Sequence, residues 1–242
     1  MDAPILTMDE RAAINGGRWF SSLSPSLRHD ILRSAYVRRY ADNELISAQG
    51  DMPEKWFTCA RGAIRMSSTS LTGKLITLTY VEPGTWIGDV AIFNGEQQAL
   101  DAYAHGQTTL LCVSRSDFRK LLAQHVELYE AMLRLQAWRI SQLITLVQDL
   151  SSLPLRARLA KRLLHLVHSY GVPSLPDEGE MRIGLQLAQE ELAQLLGASR
   201  QRVNRELKSM ERERAIRIDP AGLVVRNRDT LMRIANTAPM EK

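Results

Sequence analysis

The stretch 195–207, LLGASRQRVNREL, sets Gly197 and Ser199 between a leucine pair and a segment in which Val203 and Leu207 alternate with long polar arms. Glycine after Leu196 suits the left-handed residue that ends a helix, and serine suits the cap that begins the next one. The spacing therefore predicts two short helices, 188–196 and 200–210, joined by a three-residue turn, which is a helix-turn-helix layout. On the second helix Val203, Leu207 and Met210 recur at i, i+4 and i+7, so they face the core. Arg200, Gln201, Asn204, Arg205 and Lys208 are left outward. Arginine suits guanine O6 and N7, glutamine suits adenine, and a helix N-terminus with Ser199 suits a phosphate.

Flanking segments extend this pattern. Downstream, AIRIDPAGLVVRN (215–227) reads as two β-runs around Asp219-Pro220-Ala221-Gly222, a hairpin wing. Upstream, MRIGL (181–185) reads as a strand, and LRARLAKRLLHLVHSYG (155–171) as an amphipathic helix ending at Gly171, followed by a loop with Pro173 and Pro176. From Arg156 to Lys242 there are 16 Lys or Arg against 11 Asp or Glu, whereas the whole chain has 31 against 27. The basic excess thus belongs to the C-terminal third, as a polyanion partner requires.

Pro154 ends the preceding segment, because it lacks a donor and clashes with the turn before it. In that segment Tyr129, Leu133, Gln136, Ile140, Leu143, Val147 and Leu150 follow 4-3-4-3-4-3 spacing. The seam predicts a dimerisation helix over 126–152, with Gln136 as a polar position able to fix register. A second flank of Leu128, Met132, Leu135 and Ile144 faces its own domain. From about 37 to 113 short β-prone runs such as KWFTCA, AIRMSS, LITLTYV and LLCVS are cut by glycines, four of which (Gly50, Gly62, Gly73, Gly84) stand 12, 11 and 11 residues apart. Such spacing leaves no room for intervening helices and predicts an antiparallel roll. Ser24 with Pro25 predicts a helix start, Ser116 caps another, and residues 1–22 read as a polar, irregular arm. The resulting division is an arm over 1–22, a β-roll over 23–125, the dimer helix over 126–152 and a winged helix-turn-helix over 153–242. The fold class is α+β.

Composition narrows the chemistry. At 45% hydrophobic and 24% charged residues the chain is ordinary globular material. The sequence holds no apolar run of 18 residues and its first residues lack a basic-then-apolar layout, so the expected location is cytoplasmic, without a membrane. Two cysteines, Cys59 and Cys112, are too few for an iron-sulfur cluster, and each of the five histidines, His29, His105, His125, His165 and His168, is read as an ordinary surface or core residue and not as the ligand of a haem sensor. There is no HxxE, CxxC, GxSxG or P-loop pattern, so neither a catalytic residue nor a metal site is expected.

Over roughly residues 35–235 the sequence resembles the Crp/Fnr family of bacterial transcription regulators, on GDMPEKWFTCARGAIRM, GTWIGDVAIF and LGASRQRVNREL. The resemblance implies a cyclic-nucleotide-binding-like roll, a homodimer on palindromic double-stranded DNA, and RNA polymerase as a partner. It places base reading on Arg200, Gln201 and Arg205, with Gln201 where glutamate is usual, so the half-site is expected to depart from TGTGA there. Ser199, Arg202, Asn204 and Lys208 complete the DNA-binding set. The effector pocket departs further. Gly88-Asp89 matches the start of the family's phosphate cassette, but Gln98 or Ala99 stands where its arginine belongs. Leu143-Ile144 replace the two hydroxyl residues that contact adenine. A partly buried phosphate leans on a charged bidentate donor, so cyclic AMP bound in the usual way is not expected. Cyclic di-GMP is one effector known among relatives that lost these contacts; Arg33, Arg38, Arg39, Arg61 and Arg65 are candidate partners for it. Two alternatives stay open: a sensor acting through protein partners, and a cyclic-AMP-responsive regulator with a divergent pocket.

Overall fold

A computed structural model describes residues 5–70, 73, 75–174, 179–220 and 222–237. Residues 1–4 of the expected arm, Pro176 of the loop, Ala221 of the wing turn and the tail 238–242 lie outside the described residues. Contacts divide the chain into two compact units, with the division after Ile140.

The first unit runs α1 (Met8–Gly16), α2 (Arg18–Ser21), α3 (Pro25–Arg33), β1 (Ala35–Tyr40), β2 (Leu45–Ser47), β3 (Lys55–Thr69), β4 (Leu75–Val81), β5 (Trp86–Ile87), α4 (Asp89–Asn94), β6 (Asp101–Ser114), α5 (Arg115–Gln124) and the first half of α6 (Val126–Ser152). The strands form one antiparallel sheet in the order β1-β6-β3-β4, with β2 added on β6 and β5 on β3. The expected roll is present, with three differences. A short helix, α4, stands between β5 and β6, where no intervening helix was expected. KWFTCA and AIRMSS are not separate strands but one strand, β3, that passes through Gly62 at φ +78°, its register against β6 shifting between Cys59 and Arg61 and again between Arg61 and Ala63. At Gly62 a Cβ would stand 2.7 Å from the Gln107 carbonyl, so the glycine marks an irregularity inside a strand and not a turn. The cap of α5 is Ser114, whose hydroxyl accepts the Asp117 N–H at 3.1 Å, and not Ser116.

The expected irregular arm is also corrected. Residues 7–21 fold because Thr7 and Glu10 form a reciprocal capping box and because Ile14 and Phe20 are fully buried. Phe20 stacks on Trp86 at 5.6 Å, Trp56 lies 4.1 Å from Trp86, and Trp19 meets Trp56 edge-on at 5.6 Å. The Trp19 indole N–H donates to the Ala131 carbonyl at 2.9 Å, tying α2 to α6. With Leu27, Ile31, Phe118, Leu121, Leu128 and Met132, these rings make the main core. A second core of Phe57, Cys59, Ile64, Leu110 and Cys112 fills the roll.

The second unit holds the rest of α6, then α7 (Leu155–Tyr170), β7 (Gly171–Pro173), β8 (Met181–Ile183), α8 (Gln189–Leu195), α9 (Arg200–Arg212), β9 (Ile216–Asp219), β10 (Gly222–Val225) and α10 (Arg228–Ala235). β9 and β10 form the expected wing hairpin. They belong to a four-stranded antiparallel sheet, β7-β8-β10-β9. Arg217 on β9 and Arg226, just after β10, bracket the buried Glu180 carboxylate at 3.3 and 2.5 Å.

Candidate nucleic-acid interface and effector pocket

The turn before α9 is built as its residues require. Gly197 is left-handed at φ +58°, with open space where a Cβ would be, so conformation alone selects glycine there. Its N–H donates to the Gln194 carbonyl at 3.0 Å and the Ala198 N–H donates to the Ala193 carbonyl at 3.0 Å, closing the end of α8. The Ser199 hydroxyl accepts the Arg202 N–H at 3.4 Å and caps α9. At the start of α8, the Glu191 carboxylate accepts the Ala188 N–H at 3.0 Å.

Val203, Leu207 and Met210 are 0%, 1% and 0% exposed, which fixes the inward side of α9. Arg200, Gln201, Arg202, Arg205 and Lys208 are exposed, and Asn204 is half-buried. Arg200, Gln201, Asn204, Arg205 and Lys208 share the outward side of α9, whereas Arg202, one turn before Glu206, lies on the neighbouring flank and Ser199 is the cap. Gln201, Asn204, Arg205 and Lys208 line an open concave surface together with Glu211 and Arg212. The sequence reading missed Arg212, although its i+4 spacing from Lys208 carries the polar stripe one turn further.

The effector residues are distributed differently. Gly88 is left-handed at φ +95° and precedes α4, and Asp89 is completely buried. The Asp89 carboxylate accepts from Arg139 Nη1 at 2.7 Å and from the Gln136 amide at 2.5 Å, both on α6. Arg139 also donates to the Trp86 carbonyl. The other carboxylate oxygen, Oδ1, is buried with no hydrogen-bond donor among the described residues. Gln136, expected on the dimer seam, therefore turns to its own roll, and Arg139 was missed; helical spacing cannot show that a long arm bends to a carboxylate about 50 residues away. Gln98 is engaged through its main chain, its N–H donating to the Asp51 carbonyl at 2.8 Å, and Ala99 is exposed. Leu143 and Ile144 lie on the part of α6 that belongs to the second unit, and both are more than half exposed. Ile144 is thus not on a buried flank, unlike Leu128, Met132 and Leu135.

The five arginines considered for a cyclic dinucleotide do not share one environment. Arg39 donates to the buried Glu10 at 3.3 Å, Arg38 lies over the Tyr40 ring, and Arg65 lies over the Tyr103 ring. Burial pushes the Cys59 thiol up to about 12 and the Cys112 thiol up to about 11, so neither is a thiolate at neutral pH. Among the described residues no three His, Cys, Asp or Glu converge to hold a metal ion, and no helix is long and apolar enough to cross a membrane.

An antiparallel roll, a long helix with an apolar seam and a winged helix-turn-helix define a DNA-binding regulator built on a cyclic-nucleotide-binding scaffold. Family models agree: a cyclic nucleotide-binding domain matches residues 37–125 and a Crp-like helix-turn-helix domain matches residues 157–234. The chain belongs to the Crp/Fnr family of bacterial transcription regulators. It is 29% identical to a cyclic AMP receptor protein of Thermus thermophilus, over 92% of this chain and 98% of that one. Its fold is that of FixK2 from Bradyrhizobium japonicum, with a TM-score of 0.72 at 21% identity over 84% of this chain and 98% of that one. It also shares the fold of CLP from Xanthomonas campestris, described as a c-di-GMP responsive global regulator, with a TM-score of 0.68 at 18% identity over 84% and 99% of the two chains.

Proposed function

We propose that this regulator acts as a non-catalytic homodimer, in the cytoplasm and with RNA polymerase as a partner, that reads a palindromic duplex site with Arg200, Gln201 and Arg205. Ser199, Arg202, Asn204 and Lys208 support the reading. The observation that carries this proposal is the division of α9: Val203, Leu207 and Met210 fully buried on one side, and Arg200, Gln201, Arg205 and Lys208 exposed on the other. An α-helix of these dimensions fits the major groove, where each base pair presents its own pattern of donors and acceptors. Dimerisation is supported by the seam of α6, on which Tyr129, Leu133, Ile140, Leu143, Val147 and Leu150 are between 47% and 70% exposed in the single chain. A stripe of that length left in water is unfavourable, and a twin helix covers it.

The effector is proposed to be something other than cyclic AMP bound in the family's usual way, with cyclic di-GMP as the first alternative. Gln98 and Ala99 supply no cation for a cyclic phosphate, and Leu143-Ile144 supply no hydroxyl for adenine. The Asp89 carboxylate is already shared by Arg139 and Gln136, leaving only Oδ1 as an acceptor for a ligand hydroxyl. Two measurements test the reading. Selection from random duplexes should enrich a two-fold symmetric site that departs from TGTGA opposite Gln201; enrichment of no palindrome would overturn base reading. Calorimetry against cyclic AMP, cyclic GMP and cyclic di-GMP tests the effector, and tight cyclic AMP binding would overturn the effector assignment while leaving the DNA reading intact.

A further inference from the structure

Arg156 stands in the first turn of α7, two residues after Pro154, and reaches the flank of α9 that faces neither the core nor the concave surface. Its Nη1 donates to the Ser209 hydroxyl at 3.0 Å, its Nη2 donates to the Glu213 carboxylate at 2.6 Å, and Nη1 lies 3.7 Å from Glu206 Oε2. Glu206 Oε1 in turn lies 3.9 Å from Arg205 Nε. Glu206, Ser209 and Glu213 are spaced i, i+3 and i+7, so they form one stripe along the helix beside the buried one. A continuous path of charged groups thus runs from the start of α7 to a base-reading arm.

We propose that Arg156 is the positioning residue of the recognition helix: it sets the roll of α9 about its own axis and, through Glu206, the arm of Arg205. The inference rests on the proposed base reading and deepens it. Apolar burial of Val203, Leu207 and Met210 holds α9 against the core but is non-directional, so by itself it tolerates a small roll. A side-chain tip about 6 Å from the axis moves about 1 Å for a roll of about 10°. Hydrogen bonds to base edges are lost over such a shift, because they weaken outside a range of about 2.7–3.2 Å. A planar guanidinium that engages two acceptors at fixed angles supplies the missing direction, which a lysine ammonium does not. The group is nearly a third exposed, at 30%, and Glu213 is 46% exposed. Ion pairs of that exposure contribute little to stability, so the effect belongs to readout and not to folding.

The test compares the full-length wild type with Arg156→Gln, Arg156→Lys and Glu206→Gln, each titrated at one salt concentration against the selected palindrome and against a scrambled duplex, with thermal melting alongside. The expected result for Arg156→Gln is a specific-to-nonspecific affinity ratio lowered about tenfold, or about 1.4 kcal/mol of discrimination, with scrambled-duplex affinity and Tm near wild type. Arg156→Lys should recover less than half of the loss, since charge returns without the fork. Glu206→Gln cuts the link to Arg205 without touching Ser209 or Glu213, and it should lower the ratio even if Arg156→Gln melts early. The proposal is overturned if either glutamine variant keeps the wild-type ratio, or if specific and nonspecific affinity fall together. A wild type that does not itself discriminate the two duplexes fails at the base reading instead, and the two failures are told apart by that control.

Discussion

At the scale of single residues, the recognition arms and the buried carboxylates make the sharpest claims. Arg200→Ala and Arg205→Ala should each remove about 1–3 kcal/mol of discrimination against the wrong base, because a bidentate contact is lost and nothing replaces it. Competition titrations with single-base variants of the selected site measure this, and unchanged preference in both proteins would reject the assignment. Glu10 gives a prediction of another kind. Burial acts to raise its carboxyl, but the Thr7 amide, Thr109 and the Arg39 guanidinium outweigh burial and hold it below its ordinary 4.5. A carboxyl lowered by folding stabilises the native state above its unfolded value, and that contribution is lost as the pH falls through the folded one. Glu10→Gln should therefore be less stable than wild type at pH 7, and the gap should close as the pH drops below 4.5. Urea midpoints across that range give the answer; a gap that does not narrow removes Glu10 as a source of acid sensitivity. Legibility at this scale followed range in sequence. Ser199 and Gly197 could be read because caps and turns are local chemistry. Arg139 on Asp89 and Arg156 on Glu213 could not, because a flexible cationic arm has many acceptors within reach and only the packed fold selects one.

At the scale of elements, periodicity identified the helices better than glycine spacing identified the strands. The 4-3 repeat of α6 and the i, i+4, i+7 set of α9 are constraints that the 3.6-residue turn imposes and little else produces. Gly62 misled because a positive φ serves a turn and a strand irregularity equally well, so β3 was read as two strands. The short helices α1 and α2 were missed because Ile14 and Phe20 are the apolar side chains fully buried in them and the other buried residue of α1, Glu10, is charged; one buried apolar residue per helix leaves no hydrophobic period to detect. The seam of α6 now carries a prediction. Leu143→Glu combined with Val147→Glu places charges at two positions that are 59% and 61% exposed in the single chain. The variant should fold, since neither side chain is in a core. Light scattering should give a monomer, and binding to the selected palindrome should weaken by at least about a hundredfold, because the second half-site no longer binds as part of the same molecule. A double variant that remains dimeric would move the interface elsewhere.

At the scale of the whole molecule the charge distribution becomes a measurable quantity. The basic excess from Arg156 onward includes α9, on which Arg202, Lys208 and Arg212 are each exposed. If each protomer neutralises about three phosphates, a dimer neutralises about six, and the logarithm of affinity falls with the logarithm of salt at a slope of about −5. Between 50 and 200 mM salt that is a loss of about a thousandfold. Lys208→Gln should reduce the slope by about 2 in the dimer, one contact from each protomer, while changing affinity for all sequences alike. Arg200→Ala should instead change the preferred sequence. The Leu143→Glu, Val147→Glu protein supplies the last comparison, since a monomer releases half as many counterions and its slope should be about half that of the wild type. A slope near zero in the wild type would mean that the basic third does not meet a phosphate backbone; an equal slope in wild type and seam variant would mean that one protomer binds alone. Only a steep slope, halved by the seam substitutions and lowered by Lys208→Gln, fits a two-fold molecule whose basic helices lie on one duplex.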